Sequence, residues 1–213
     1  MNLMRTGVLI AGLLALSSGV AVAYPSGAPD GFTGAPGEGT CMTCHSNGPD
    51  DGQMQVIAPA RYLSQQTYAI TVEIADPGQF QWGFELTALD ASNNKAGSFT
   101  VTDAANTQLS VNPPSVPDYV KQTTAGTLTG VADGPVTWSF EWSSPDTSAG
   151  PVAFYAAGNA SQNTGTASGY NYTAQTSVIP GAESVPAIGN GGLAALMVGV
   201  ILVGALLIGR RRA

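Results

Sequence analysis

Histidine is nearly absent from this chain: His45 is the only one in 213 residues. Cysteine is almost as scarce, with Cys41 and Cys44 the only two. A structural zinc site takes four Cys or His ligands, so these three residues exclude one within the chain. No second histidine exists to complete a serine triad, and there is no G-x-S-x-G, Walker or G-x-G-x-x-G motif. A haem held by two histidines of one chain is excluded as well. Basic side chains are also few. Between residues 24 and 191, Arg61, Lys95 and Lys121 stand against fourteen acidic groups, leaving −11 there against −7 for the whole chain. Such a field repels nucleic acid and anionic headgroups, so no nucleic-acid partner is expected. It favours a basic or cationic partner, or simply solubility. No stretch within 53–178 keeps a helical period over four turns, and no internal repeat is present, which argues against a helical bundle.

The three scarce residues fall inside one pentapeptide, Cys41-Met42-Thr43-Cys44-His45. It reads C-x-x-C-H, the attachment signature of a c-type haem. Two thiols at this spacing can form thioethers with two vinyl groups of one porphyrin. The histidine that follows is then placed as an axial ligand of the iron. Two other readings stay open at this point: a small Cys41–Cys44 disulfide in an oxidising compartment, or free thiols. A thioredoxin-like pair would sit at a helix start in a βαβ context, whereas the flanks here are rich in Gly and Pro.

The chain ends carry targeting features. Met1 to Arg5 is a short basic region, residues 7–16 are apolar, and Ala21-Val22-Ala23 is a small-residue cleavage site. The expected mature chain begins at Tyr24. Residues 192–209 contain no charged side chain and are followed at once by Arg210-Arg211-Arg212. About 18 residues just span a bilayer core, and the arginines belong on the cytoplasmic side. The expected location is therefore the cell envelope, membrane-anchored or on a bacterial cell surface, with the C-terminal helix as the membrane partner. The same arrangement is similar to a bacterial C-terminal sorting signal, with a candidate motif over residues 185–192; processing there would remove the helix.

Between these ends, residues 24–52 hold few large apolar side chains and many turn formers, so they build no core alone. A bound haem could organise them, or they could lie against the following domain. Strands are expected over 53–58, 67–74, 82–89, 97–101, 136–142, 152–158 and 171–178, from β-branched content, period-two alternation and turn residues between them. Val136, Trp138, Phe140 and Trp142 share one face of their strand, which is the expected core face. The expected organisation is a leader over 1–23, an irregular C-x-x-C-H segment over 24–52 and a sandwich over 53–178. A linker or sorting motif over 179–191, a membrane helix over 192–209 and a basic tail over 210–213 follow.

Several segments, taken in order, resemble one known family. They are Thr33-Gly34-Ala35-Pro36-Gly37-Glu38 before the C-x-x-C-H, then Gly83-Phe84-Glu85-Leu86-Thr87-Ala88-Leu89-Asp90 with Asn94-Lys95-Ala96-Gly97-Ser98-Phe99. Trp138-Ser139-Phe140-Glu141-Trp142 with Pro145, and the run from Gly150 to Ala160, complete the set. Together they resemble bacterial Reeler-like (reelin N-terminal-like) surface proteins with interchangeable C-terminal anchors. The resemblance implies an all-β, immunoglobulin-like antiparallel β-sandwich on an exported, anchored protein. It departs at Tyr119-Val120, where Lys121 follows in place of the family's frequent histidine, a candidate second haem ligand.

With His45 alone, a second axial ligand must come from elsewhere. Met42 lies inside the attachment loop, badly placed to cross the ring. Met54 is the exported methionine that remains, either as ligand or as a first-strand core residue. Lys95, Lys121, the Tyr24 amine, water and a partner's histidine are the other options. The leading expectation is an exported electron-transfer protein, not an enzyme, with one covalent haem c and a redox or surface protein partner. The alternative is a non-catalytic surface adhesion or matrix-binding module with a structural Cys41–Cys44 pair.

Overall fold

The structure is a computed structural model and describes residues 24–162 and 169–181. The expected leader, most of the linker, the apolar segment over 192–209 and the basic tail lie outside the described residues. Among the described residues no helix is long and apolar enough to cross a membrane.

Ten strands follow one another: β1 (Gln53–Ile57), β2 (Arg61–Tyr62), β3 (Thr67–Ala75), β4 (Gln81–Asp90), β5 (Ser98–Thr100), β6 (Thr107–Ser110), β7 (Tyr119–Gln122), β8 (Val136–Ser143), β9 (Val152–Ser161) and β10 (Tyr170–Pro180). They form two sheets, β1-β3-β8-β5 and β2-β10-β9-β4-β7-β6. Pairing is antiparallel except between β2 and β10. The seven expected strands are present, and β2, β6 and β7 join them.

The core lies between the sheets. On β8, Val136, Trp138, Phe140 and Trp142 are buried, while Thr137, Ser139 and Glu141 between them face solvent. From the six-stranded sheet Phe84 meets Trp138 with ring centroids 4.7 Å apart. Phe154 meets Trp142 edge-on at 5.0 Å. Both indoles find a backbone acceptor, Gly126 O for Trp138 (2.9 Å) and Ala96 O for Trp142 (3.0 Å). That satisfies the one polar atom each brings into the core. The turn after β4 is held by Asp90, whose Oδ1 accepts the amides of Ser92 (2.8 Å) and Asn94 (2.9 Å).

β4 departs from alternation. Its residues Phe84 to Leu89 are all buried. A strand buried on successive residues is covered on both faces. One cover is the opposite sheet. The other is the N-terminal segment 24–52, which lies across the outer face of the six-stranded sheet and buries Thr33 and Ala35 there.

Candidate functional site

The segment that leads into the C-x-x-C-H is clipped to the sheet by its own turn chemistry. Ala35, Pro36, Gly37 and Glu38 form a turn closed by Glu38 N to Ala35 O (2.9 Å). Gly37 has φ +88°, the left-handed third position of a type II turn with Pro before it. This aims the Glu38 carboxylate back at the chain. Oε2 accepts the Thr33 hydroxyl (2.5 Å), and Oε1 accepts the phenol of Tyr119 on β7 (2.7 Å). Burial, followed by that hydrogen bond, pushes the Tyr119 phenol far above its usual range.

The motif itself is one tight turn. Thr40 caps it, its hydroxyl accepting the Met42 amide (3.3 Å). Cys41–Thr43 is a single 3₁₀ turn, closed by Cys44 N and His45 N donating to Cys41 O at 3.2 and 2.9 Å. Positions three apart eclipse in such a turn, so the two thiols share a side. Met42 is turned away and is 55% exposed. The chain that leaves the turn is tied to β10. Asn171 Nδ2 donates to Asn47 O. The Tyr172 hydroxyl accepts the Asp50 amide (3.4 Å) and donates to Asp76 Oδ2 (2.7 Å).

Between this segment and the sheet lies a cavity of about 320 Å³, whose lining includes Tyr24, Pro25, Pro29, Phe32, Cys41, Cys44, His45, Trp82 and Glu85. Small-molecule and cofactor clefts run roughly from 300 to 1,000 Å³, mostly apolar with a few polar groups. Cys41 and Cys44 are unbridged. Burial, with the Glu85 charge second, pushes the Cys41 thiol up to about 12. A redox-active dithiol needs the opposite, a depressed thiol. Free thiols on one side of a turn, the lone histidine beside them and an apolar wall fit a covalently attached haem.

Glu85 was not singled out from the sequence as a site residue. It is 1% exposed. Its Oε2 accepts the Phe32 amide (2.7 Å), while Oε1 is buried without a hydrogen-bond partner. Lys121 Nζ lies 3.7 Å from Oε1, too far for a hydrogen bond. Burial dominates and pushes the carboxyl up to about 8, against the opposing pull of Phe32 and Lys121. Burial therefore favours the protonated form of Glu85. Lys121 spends its charge on Asp30 (2.5 Å) and its remaining donors on Ala28 O (2.7 Å). Burial alone would raise Asp30, but hydrogen bonds from Lys121, Asn112 and Ser110 hold it below the usual carboxylate range. The sequence alone places Glu85 on the face opposite Trp82, Phe84, Leu86 and Ala88, which reads as a solvent face; its burial comes from the N-terminal segment that covers that face.

Of the expected site residues, Cys41, Cys44 and His45 come together in one cavity wall, and Met54 does not join them. Met54 on β1 pairs with Ile74 of β3 and packs against the core cluster between the sheets. The six-stranded sheet lies between it and the outer-face cavity, whose lining does not include Met54, so Met54 sits as a core residue, the other reading the sequence left open for it. Lys95 is engaged elsewhere, its Nζ 2.7 Å from Asp118 Oδ2 and 3.3 Å from Asn112 O. Among the described residues no group of three or more His, Cys, Asp or Glu side chains could hold a metal ion.

No family model matches the chain, and no curated protein matches it. Among solved structures, it is similar to a cohesin module from a family 33 glycoside hydrolase of Clostridium perfringens. That match has 8% identity and a TM-score of 0.42, covering 62% of this chain and 98% of the other. It is also similar to a non-cellulosomal cohesin from the archaeon Archaeoglobus fulgidus, at 8% identity and a TM-score of 0.37, covering 62% of this chain and 94% of the other.

Proposed function

We propose that this chain is an exported electron-transfer protein carrying one covalent haem c, attached through Cys41 and Cys44, with His45 as axial ligand. One observation carries the reading: all three residues line a single cavity with an apolar wall, the two cysteines unbridged. The haem, when bound, supplies one-electron chemistry at its iron. The chain's own part is holding and shielding. The Thr33–Glu38 clip and the Asn171 and Tyr172 contacts hold the attachment turn from both sides. Phe32, Pro25, Pro29 and Trp82 form the apolar wall on one side of the site, and burial there disfavours a charge on Glu85. The high Cys41 thiol weighs against a thiol–disulfide exchange role.

The sandwich is proposed to be of the Reeler-like, immunoglobulin-like kind, on the strength of the ordered motifs in the sequence. The apolar segment over 192–209 is proposed as its membrane anchor or as the tail of a sorting signal. A strongly acidic exported part suits a basic redox partner. The β-sandwich serves the competing reading equally well, namely a non-catalytic surface adhesion module with a structural Cys41–Cys44 pair.

The deciding experiment expresses the full chain alongside a haem-maturation system, denatures it and looks for haem that stays with the polypeptide. Haem retained by the wild type and lost in the Cys41→Ala, Cys44→Ala double variant is the expected result. An apoprotein whose mass shows a Cys41–Cys44 disulfide would overturn the proposal in favour of the adhesion module.

A further inference from the structure

We infer that the α-amine of Tyr24, freed when the leader is removed after Ala23, is the second axial ligand of the haem iron. This rests on the haem reading proposed above and on the cleavage site read from the sequence.

The first observation is how firmly the arm that begins at Tyr24 is held. A terminal stretch of turn formers outside any strand ordinarily frays. Here Gln108 Nε2 donates to Ser26 O, Lys121 Nζ donates to Ala28 O (2.7 Å), and Asp30 pairs with Lys121 at 2.5 Å. Gly27 sits buried at φ +99°, where a Cβ would lie 2.9 Å from Gln108, Lys121 and the Gln122 carbonyl. Gly27 N in turn donates to Tyr24 O (3.1 Å), which holds the first residue of the arm in a turn. Enclosing the Lys121–Asp30 pair beneath the arm costs desolvation. What it achieves is to keep Tyr24 and Pro25 in the wall of the cavity that Cys41, Cys44 and His45 also line.

The second observation is the lack of any other good donor there. Haem iron takes its protein ligands from His, Cys, Met and Tyr; an unprotonated amine offers the iron a nitrogen lone pair as imidazole does, whereas an amide nitrogen's is delocalised and a hydroxyl is a weaker donor. Among the described cavity residues, the polar side chains besides the motif and Tyr24 are amides, hydroxyls and the carboxyl of Glu85. Met54 lies on the far side of the sheet, Met42 faces solvent, and Lys95 and Lys121 are engaged by Asp118 and Asp30. Tyr24 offers two donors, its phenol and its α-amine, and the residue is 48% exposed. An α-amine has a pKa of about 7.7–8.0, against about 10 for a phenol or a lysine. It gives up its proton to a metal near neutral pH more readily than either.

The test uses the full chain matured with haem. Mass spectrometry first fixes the new N-terminus. The spin state of the ferric protein and carbon monoxide binding by the ferrous protein then report the sixth position. The expected wild type starts at Tyr24, is low-spin and resists carbon monoxide. Inserting Gly-Ser between Ala23 and Tyr24 displaces the amine; low spin is lost and carbon monoxide binds, while covalent haem is retained. Tyr24→Phe keeps the amine and the low-spin state. A high-spin wild type, or an insertion variant indistinguishable from it, overturns the amine ligand and leaves the haem reading standing. Loss of low spin in Tyr24→Phe overturns it in favour of the phenol. A wild type that retains no haem overturns the haem reading itself, and the ligand with it; loss of covalent haem in either variant alone overturns the assignment of Tyr24 to the sixth position and leaves the haem reading standing.

Discussion

Lys121 on β7 pairs with Asp30 at 2.5 Å, and through that contact the sheet grips a segment ninety-one positions earlier in the chain. The lysine side chain is only 9% exposed. The pair therefore does more than a surface ion pair, which contributes about 0–1 kcal/mol. Two neighbouring contacts, Ala28 O on the same ammonium and Asn112 on the same carboxylate, make it a small network.

Removing Lys121 tests that grip. Lys121→Met leaves Asp30 without its cation, and breaking a buried pair from one side costs about 3–5 kcal/mol. Because the Asp30 side chain is 35% exposed, the low end of that range, about 3 kcal/mol, is the expected loss. Chemical denaturation measures it. Hydrogen exchange should show faster exchange at Gly27 and through the arm, while β8 stays protected. Unchanged exchange in the arm would refute the tie.

Glu85 makes stability depend on pH in an unusual direction. Its ordinary value is 4.5, and burial in the folded protein pushes it up to about 8. Between those values the folded state holds a proton that the unfolded chain has released. Stability from this group is full below about 4.5 and declines as pH rises through about 8. The groups around it are Lys121, Asp30, Glu38, Cys41 and Tyr119. Glu85→Gln mimics the protonated carboxyl, so its stability should change less than the wild type's between pH 5 and 8. The comparison matters because Asp76 also has a raised carboxyl, chiefly from burial, and contributes in the same direction to both proteins. Denaturation midpoints across that range decide it. A wild type and a Gln variant with parallel profiles would mean that Glu85 is ionised throughout.

How much of this could be read beforehand depends on where the determining contacts lie. β8 was legible because one face meets solvent, so Trp138, Phe140 and Trp142 alternate with Thr137, Ser139 and Glu141. β7 was not, because Tyr119, Val120, Lys121 and Gln122 are all buried and show no period. The position of Met54 was readable in principle, since it shares a face with Val56 on β1 and that face is the core. The C-x-x-C-H stood out from its spacing alone. The cavity beside it did not, because its walls come from Tyr24, Trp82, Gln122 and Asn159, which only the folded sheet brings together. The place of the N-terminal arm depends on Gln108 and Lys121, and no local pattern in residues 24–30 announces either partner.

The sandwich core gives the last prediction. Phe140 is 1% exposed. It meets Phe99 edge-on at 5.7 Å and lies nearly parallel to Phe84 at 6.3 Å, so it joins the two sheets at their centre. Truncating a buried Phe to Ala removes its transfer energy and leaves a void that close-packed neighbours fill only partly, costing about 3–5 kcal/mol. For a domain whose whole stability is about 5–15 kcal/mol, that brings Phe140→Ala near unfolding. Thr137 and Ser139 lie on the same strand but point outward. Thr137→Ala should shift stability by no more than about 0.5 kcal/mol. Ser139→Ala gives up one exposed hydroxyl contact to Thr71 (2.8 Å) and should cost about 0.5–1.5 kcal/mol at most. Urea titration of the three variants orders them. Equal losses at Phe140 and Thr137 would mean that β8 does not present its aromatic face to the core, and the two-sheet packing described here would fail with it.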